Sequence, residues 1–238
     1  MDSPHWLAAV LDTPESTWQA ACEFWSAVTG WRPAHAGDLV VLVPADGDPY
    51  LALRRAEATA ITLDVHVGDV AEAAAEAARL GAGPGFVSPG GLPFRLVEAF
   101  PRHRPAPVTW AGGASLVDQI AIDVPHDASA TEATFWSRLT GWPTTSSSAP
   151  TITPLRRPEG APLRVLVQRL GLDDDRTAAG AHLDAACTDR AAETARHEAL
   201  GAQVEAEHGH WTTLRAPDGR RYCLTDRDPY TGVLPTAG

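Results

Sequence analysis

Lysine is absent from this 238-residue sequence, and arginine supplies all 19 basic side chains. That points to codon usage in a GC-rich genome rather than to chemistry. Positive charge is scarce altogether: 30 acidic residues leave a formal net charge of −11. Nucleic-acid binding needs a basic surface, and so does an anionic membrane, so neither partner is expected. Long apolar runs are missing too, since no stretch approaches the ~18 apolar residues of a membrane span. Residues 1–6 lack a basic region followed by an apolar run, so no secretory signal is expected. The three cysteines, Cys22, Cys187 and Cys223, are odd in number and show no CxxC spacing, which argues against a disulfide framework. A cytoplasmic protein is the expectation. The GxSxG, HExxH and Walker signatures are lacking. The glycines of LGAGPGF at 80–86 follow a helix rather than opening one, so they make no phosphate loop.

What is present is a repeat. Residues 12–31 (DTPESTWQAACEFWSAVTGW) align without a gap on residues 123–142 (DVPHDASATEATFWSRLTGW). Asp, Pro, Phe, Trp, Thr, Gly and Trp coincide. Residues 61–81 align on 181–201, matching Leu63 with Leu183, Asp64 with Asp184, Asp69 with Asp189 and Gly81 with Gly201. Residues 88–97 then align on 216–225. The spacing lengthens along the chain, as surface insertions do. The copies occupy residues 1–100 and 116–238, joined by a Pro/Gly-rich linker at 101–115.

Short apolar runs at 7–12, 39–43, 50–53, 61–67, 94–97, 117–123, 163–168, 182–187 and 222–225 read as strands. The 12–31 segment and its copy read as helices ended by Gly30 and Gly141, with Ser129 or Thr131 capping the second. Trp18, Cys22 and Trp25 fall at helical spacing and form a core stripe. Alanine-rich helices at 69–80 and 189–200 open on aspartate caps. Pro143 to Pro150 is a turn-rich loop.

The FWxxxTGW pairs at 24–31 and 135–142, the strand AHLDAACTD at 181–189 and the ending WTTLRAPDGRRYCLTDRDP at 211–229 resemble the vicinal oxygen chelate superfamily of glyoxalases, extradiol dioxygenases and bleomycin-resistance proteins. The likeness covers nearly the whole chain and is nearest to the glyoxalase-like proteins of actinobacteria. It implies an α+β fold of two tandem glyoxalase-like domains, each of two βαβββ modules forming a cup-shaped sheet that holds a small molecule. It also implies metal ligands on the first, fourth, fifth and last strands. In the second copy those positions fall on Gln119, on Leu166 or Gln168, on His182 and on Cys223. In the first they fall on Ala8, on the strand at 50–55 without an acid, on Thr62 and on Arg95. A divalent catalytic ion wants about three good ligands. One histidine and one thiol leave the third donor missing, and Arg95 puts a cation where an ion would sit. No metal cofactor is therefore expected, with a divalent ion at His182 kept as the alternative.

Strand alternation places Asp184 on the face of His182 and His66 on the face of Thr62 and Asp64. His182 beside Asp184 makes a candidate general base. The repeated aspartates, Asp12 and Asp64 against Asp123 and Asp184, also fit turn-pinning. Cys223 fits a small buried filler. His208 and His210 form an HxH pair at a turn, and His197 is expected to be exposed. Trp25 and Trp136 read as core, whereas Trp31, Trp110, Trp142 and Trp211 are where a ligand would stack. The candidate ligand-binding set is Gln119, Gln168, Cys223, Trp142, Trp211, His210, Thr62, His66 and Arg95.

Three functions fit. The first is a metal-free small-molecule binding protein of the sequestering or resistance kind, acting on a natural product or xenobiotic. The second is a metal-independent lyase, isomerase or cyclase using His182. The third is a metal-dependent glyoxalase or dioxygenase. The internal pseudo-dyad makes either a monomer or a homodimer expected. The copies differ where ligands would sit, so any chemistry is expected in the C-terminal copy.

Overall fold

A computed structural model describes residues 6–100 and 102–234. His5 and most of the N-terminal segment read above lie outside the described residues, as does Pro101.

Each repeat copy contributes one sheet. In the first copy, β1 (Trp6–Thr13), β2 (Arg32–Ala36), β3 (Leu39–Val43), β4 (Leu51–Arg55), β5 (Ala60–Val67) and β6 (Phe94–Glu98) assemble in the order β2-β3-β4-β1-β5-β6. Helix α1 (Trp18–Thr29) joins β1 to β2, and α2 (Val70–Arg79) joins β5 towards β6. The second copy supplies β8 (Gly113–Val124), β9 (Ile152–Leu155), β10 (Arg164–Arg169), β11 (Gly180–Cys187), β12 (Gln203–Glu207), β13 (Trp211–Arg215) and β14 (Arg221–Thr225), ordered β12-β13-β14-β11-β8-β10-β9. β7 (Val108–Trp110), within the expected linker, pairs antiparallel with β8. Helix α3 (Ser129–Thr140) follows β8, and α4 (Arg190–Ala199) follows β11. The α+β expectation holds, with six- and eight-stranded sheets. Among the described residues no helix is long and apolar enough to cross a membrane.

Local chemistry explains most boundaries. Asp69 and Asp189 cap α2 and α4, each accepting a 2.9 Å bond from the backbone N–H three residues on. Gly30 and Gly141 end α1 and α3 in the left-handed region, at φ 67° and 70°. Neither Ser129 nor Thr131 caps α3: a 3-10 turn precedes the helix, and Ala128 stands at the N-cap without a side-chain bond. The buried stripe of α1 runs through Ala21, Phe24, Trp25, Val28 and Thr29. Trp18 and Cys22 are only half-buried, and the Arg55 guanidinium lies over the Trp18 ring.

The chain forms two compact units that divide it differently from the repeat. One collects the chain through Val10, Ala60–His103 and Ile120–Ala181. The other collects Leu11–Thr59, Arg104–Gln119 and the chain from His182 onward. Each unit therefore draws on both copies.

In the first unit Phe94 meets the rings of Phe135 and Trp136, each at 5.6 Å. The fully buried carboxylate of Glu132 accepts from Trp136 Nε1 at 2.7 Å, Ser88 Oγ at 2.5 Å and the Gly90 N–H at 2.7 Å. A Cβ on Gly90 would sit 2.8 Å from that carboxylate, so the close approach demands glycine. In the second unit Trp25 and Phe24 pack edge-on against Tyr222. Asp218 accepts from Trp25 Nε1 at 3.0 Å, and Arg220 clasps it. Arg196 donates to the carbonyls of Ala27 and Val28 at the C-terminal end of α1, where the helix dipole favours a cation. It also lies 3.8 Å over the Trp110 ring.

Candidate functional site

β11 lies parallel to β14, and the register sets Asp184 opposite Cys223. Alternation then turns His182 and Asp184 to the face that Cys223 shares. One ligand atom from each of His182, Asp184 and Cys223 lies within 4.8 Å of the others. His182 Nε2 is 3.5 Å from Asp184 Oδ1. The sequence reading left a third donor missing at this place. Asp184, two residues along the strand that carries His182, stands where that donor was missing, so the three form a cluster that could hold a metal ion, and the expectation of no metal cofactor finds no support here.

Gln119 on β8 donates from Nε2 to Asp184 Oδ2 at 2.5 Å. It therefore orients the carboxylate. Arg227 Nη1 lies 4.0 Å from the same oxygen. Its Nη2 donates to Asp118 Oδ1 at 2.7 Å, which anchors the guanidinium. With Oδ2 held, Oδ1 turns towards His182, buried and without a hydrogen-bond partner. Thr213 Oγ1 approaches the Cys223 sulfur at 3.8 Å.

Burial raises the Asp184 pKa, against the opposing pull of His182 and Arg227. Burial raises the Cys223 thiol too, and the Asp184 charge adds to it while His182 opposes. For Arg227, burial is outweighed by the carboxylates of Asp118 and Asp184, and its pKa is raised. The two anionic donors thus resist ionising together, and a nearby cation would reverse that.

The other sequence candidates are placed as follows. Gln168 is half-buried on β10, opposite Ile152 of β9, and belongs to the other compact unit. Trp142 belongs there too and is buried at 2 % exposure rather than rimming a site. Trp31 is likewise buried, edge-on to Tyr50 at 5.0 Å. Trp211 is 40 % exposed and stacks on His208 at 4.5 Å. His210 Nδ1 lies 3.4 Å from Asp226, whose stronger partner is Arg190 at 2.6 Å. Asp64 pairs through both oxygens with Arg95, 2.7 Å each. Thr62 and His66 are buried beside it on β5. Asp12 pairs with Arg54, and Asp123 lies 3.5 Å from Arg176.

His197, expected to be exposed, is buried at 2 % and bonds Tyr222 Oη at 2.9 Å and Glu193 at 3.2 Å. Arg227, Asp118 and Thr213 were not singled out from sequence. The signal for Asp118 was a charge inside the apolar run LVDQIAI, which calls for a buried partner.

Residues 8–90 and 119–225 match the family of the glyoxalase-like domain. The chain belongs to that family, within the vicinal oxygen chelate superfamily. Its fold is similar to that of the Mn(II)-bound glyoxalase from Novosphingobium aromaticivorans, at 16% identity and TM-score 0.63, covering 94% of this chain and 81% of that one. It is similar to a mutant 4-hydroxymandelate synthase from Streptomyces coelicolor, at 15% identity and TM-score 0.61, covering 96% and 95%. It is also similar to a variant of homoprotocatechuate 2,3-dioxygenase from B. fuscum, at 15% identity and TM-score 0.62, covering 97% and 72%. No curated protein matches the sequence.

Proposed function

We propose that this chain binds and acts on a small molecule at a divalent-ion centre in its C-terminal copy, held by His182, Asp184 and Cys223. One observation carries the reading: three unlike donors converge within 4.8 Å, and one of them, Asp184 Oδ1, is buried with no hydrogen-bond partner. Native proteins rarely leave such an atom unmet. Imidazole, thiolate and carboxylate together suit zinc and its neighbours, whereas Mg²⁺ and Ca²⁺ want oxygen donors throughout. Bound there, an ion of that class would polarise an oxygen of the small molecule. Gln119 and Arg227 keep Asp184 aimed at the centre.

The protein is purified and titrated with Co²⁺, and its metal content is measured. About one equivalent per chain is expected, with a thiolate-to-cobalt absorption band that Cys223→Ser removes. The absence of any ion in the purified protein, together with no cobalt band, would overturn the centre.

The 3.5 Å approach of His182 to Asp184 favours a second reading, in which the pair transfers protons without an ion. Turnover that survives chelation and falls by ~10²-fold in His182→Ala identifies it. Tight ligand binding with neither ion nor turnover identifies a sequestering protein. The acidic chain and the two-copy architecture support a cytoplasmic protein, monomeric or homodimeric.

A further inference from the structure

Arg227 stands outside the repeat. Extending the alignments of the two copies sets Asp118 and Arg227 against Leu7 and Ala99. One copy of the scaffold therefore closes with apolar residues at these positions, and the other with an ion pair. Asp118 is fully buried and Arg227 is 8 % exposed. Desolvation offsets most of the attraction in such a pair, so stability alone does not account for it. The pair is also directed. Asp118 accepts from Nη2 at 2.7 Å and from Nε at 3.4 Å, and so holds one edge of the guanidinium. Nη1, away from that edge, forms no hydrogen bond among the described residues and stands 4.0 Å from Asp184 Oδ2. The donor atoms of the cluster lie within 4.8 Å of one another, so Nη1 borders the space they share. Asp184 and a Cys223 thiolate together cancel a divalent charge, as Asp118 cancels Arg227. What remains is a fixed dipole whose positive end faces the cluster, where little water screens it.

We propose that Arg227 is a ligand-binding residue of this centre and selects small molecules that present a carboxylate, with Nη1–H donating to one carboxylate oxygen. The proposal rests on the ion centre described above. A carboxylate carries two acceptor oxygens, one for the ion and one for Nη1. A neutral amide of the same shape offers one acceptor and turns an N–H group on the other. A water meets the Nη1 donor but brings no charge for the dipole to act on.

The cobalt-loaded full chain is titrated with acetate and separately with acetamide, a neutral molecule of the same shape, and the cobalt absorption band is followed. Acetate is expected to shift the band at lower concentration. Arg227→Gln should weaken acetate about tenfold or more, the scale of a lost charge-assisted hydrogen bond, and change acetamide by no more than about twofold. That substitution leaves Asp118 buried and unpaired. Asp118→Leu with Arg227→Ala reproduces the first copy instead and serves if the single variant fails to fold. It should weaken acetate to the same extent. A cobalt-binding variant that holds acetate as tightly as the parent, or that loses acetate and acetamide equally, would overturn the proposal and leave the ion centre standing. Loss of the band itself in both variants would reduce Arg227 to a support of Asp184 and overturn it too. A parent without a cobalt band would remove the centre, and this role with it.

Discussion

Two faces of one repeat stand in the same register and hold different groups. Asp64 lies opposite Arg95 on β5 and β6, and Asp184 lies opposite Cys223 on β11 and β14. In the first pair the guanidinium takes both carboxylate oxygens. In the second the thiol takes neither: Gln119 holds Oδ2, and Oδ1 has no hydrogen-bond partner, with His182 Nε2 3.5 Å away. The position opposite the aspartate on the closing strand, Arg95 in one copy and Cys223 in the other, thus decides whether an arginine takes both carboxylate oxygens. The helices behind the sheets differ in the same manner. Ala73, Ala77 and Phe94 in the first copy become Glu193, His197 and Tyr222 in the second. An apolar contact there becomes a buried hydrogen-bonded chain.

The comparison is most sharply broken by converting one face into the other. Cys223→Arg should place a guanidinium against Asp184 and abolish ion binding, a loss of at least 10²-fold in cobalt affinity, since outer-shell changes alone typically cost 10–100-fold. The protein should remain folded by circular dichroism, because the first copy already tolerates that pair. Undiminished cobalt affinity would show that the centre does not lie there.

The tryptophan anchors offer a second break. Trp25 rests on an acid from the loop, Asp218, whereas Trp136 rests on an acid from its own helix, Glu132. Glu132→Ala leaves three buried donors unmet and should cost about 3 kcal/mol or more in urea denaturation, on the scale of 1–3 kcal/mol for an unsatisfied group. A loss below about 1 kcal/mol would mean that water replaces the carboxylate there.

A smaller effect follows from the polar chain behind the second sheet. Burial lowers the His197 pKa below its ordinary 6.5. Burial would raise Glu193, but hydrogen bonds from Arg196, His197 and Ser115 outweigh it and hold the acid at about 2, below its ordinary 4.5. Both groups bind more protons when unfolded, so their contribution is complete above about pH 6.5 and is lost as the pH falls. The loss begins through His197 and continues below 4.5 through Glu193. Urea midpoints measured from pH 8 to 4 should decline, and His197→Gln should flatten the upper part of the curve. A profile in the variant identical to that of the parent would remove His197 from this account.

The smallest change is expected at His210, more than half exposed with a weak partner. His210→Ala should alter stability by no more than about 0.5 kcal/mol and leave cobalt affinity unchanged. A marked fall in that affinity would enlarge the centre to include the HxH turn.

Much of the scaffold was legible because it rests on local rules. The aspartate caps of α2 and α4, the glycine stops of α1 and α3 and the apolar strands each follow from a few neighbouring residues. The strands that escaped notice, among them β2 (RPAHA) and β12 (QVEAE), are short and mostly exposed, so they carry little apolar signal. Within the candidate site, His182, Asp184, Cys223 and Gln119 were legible as members of one face. Their roles were not, because Gln119 against Asp184 and Arg227 against Asp118 are contacts between residues 65 and 109 positions apart.

The sequence by itself determined the repeat, the α+β fold class, the acidic surface and the asymmetry between the copies, since pattern and composition act along the chain. Only the tertiary structure decided that Asp184 completes a three-donor cluster, that His197 is buried, and that the compact units mix the two copies. Those outcomes depend on strand register and on which side chain reaches a carboxylate first, and such distances are set only once distant segments pack.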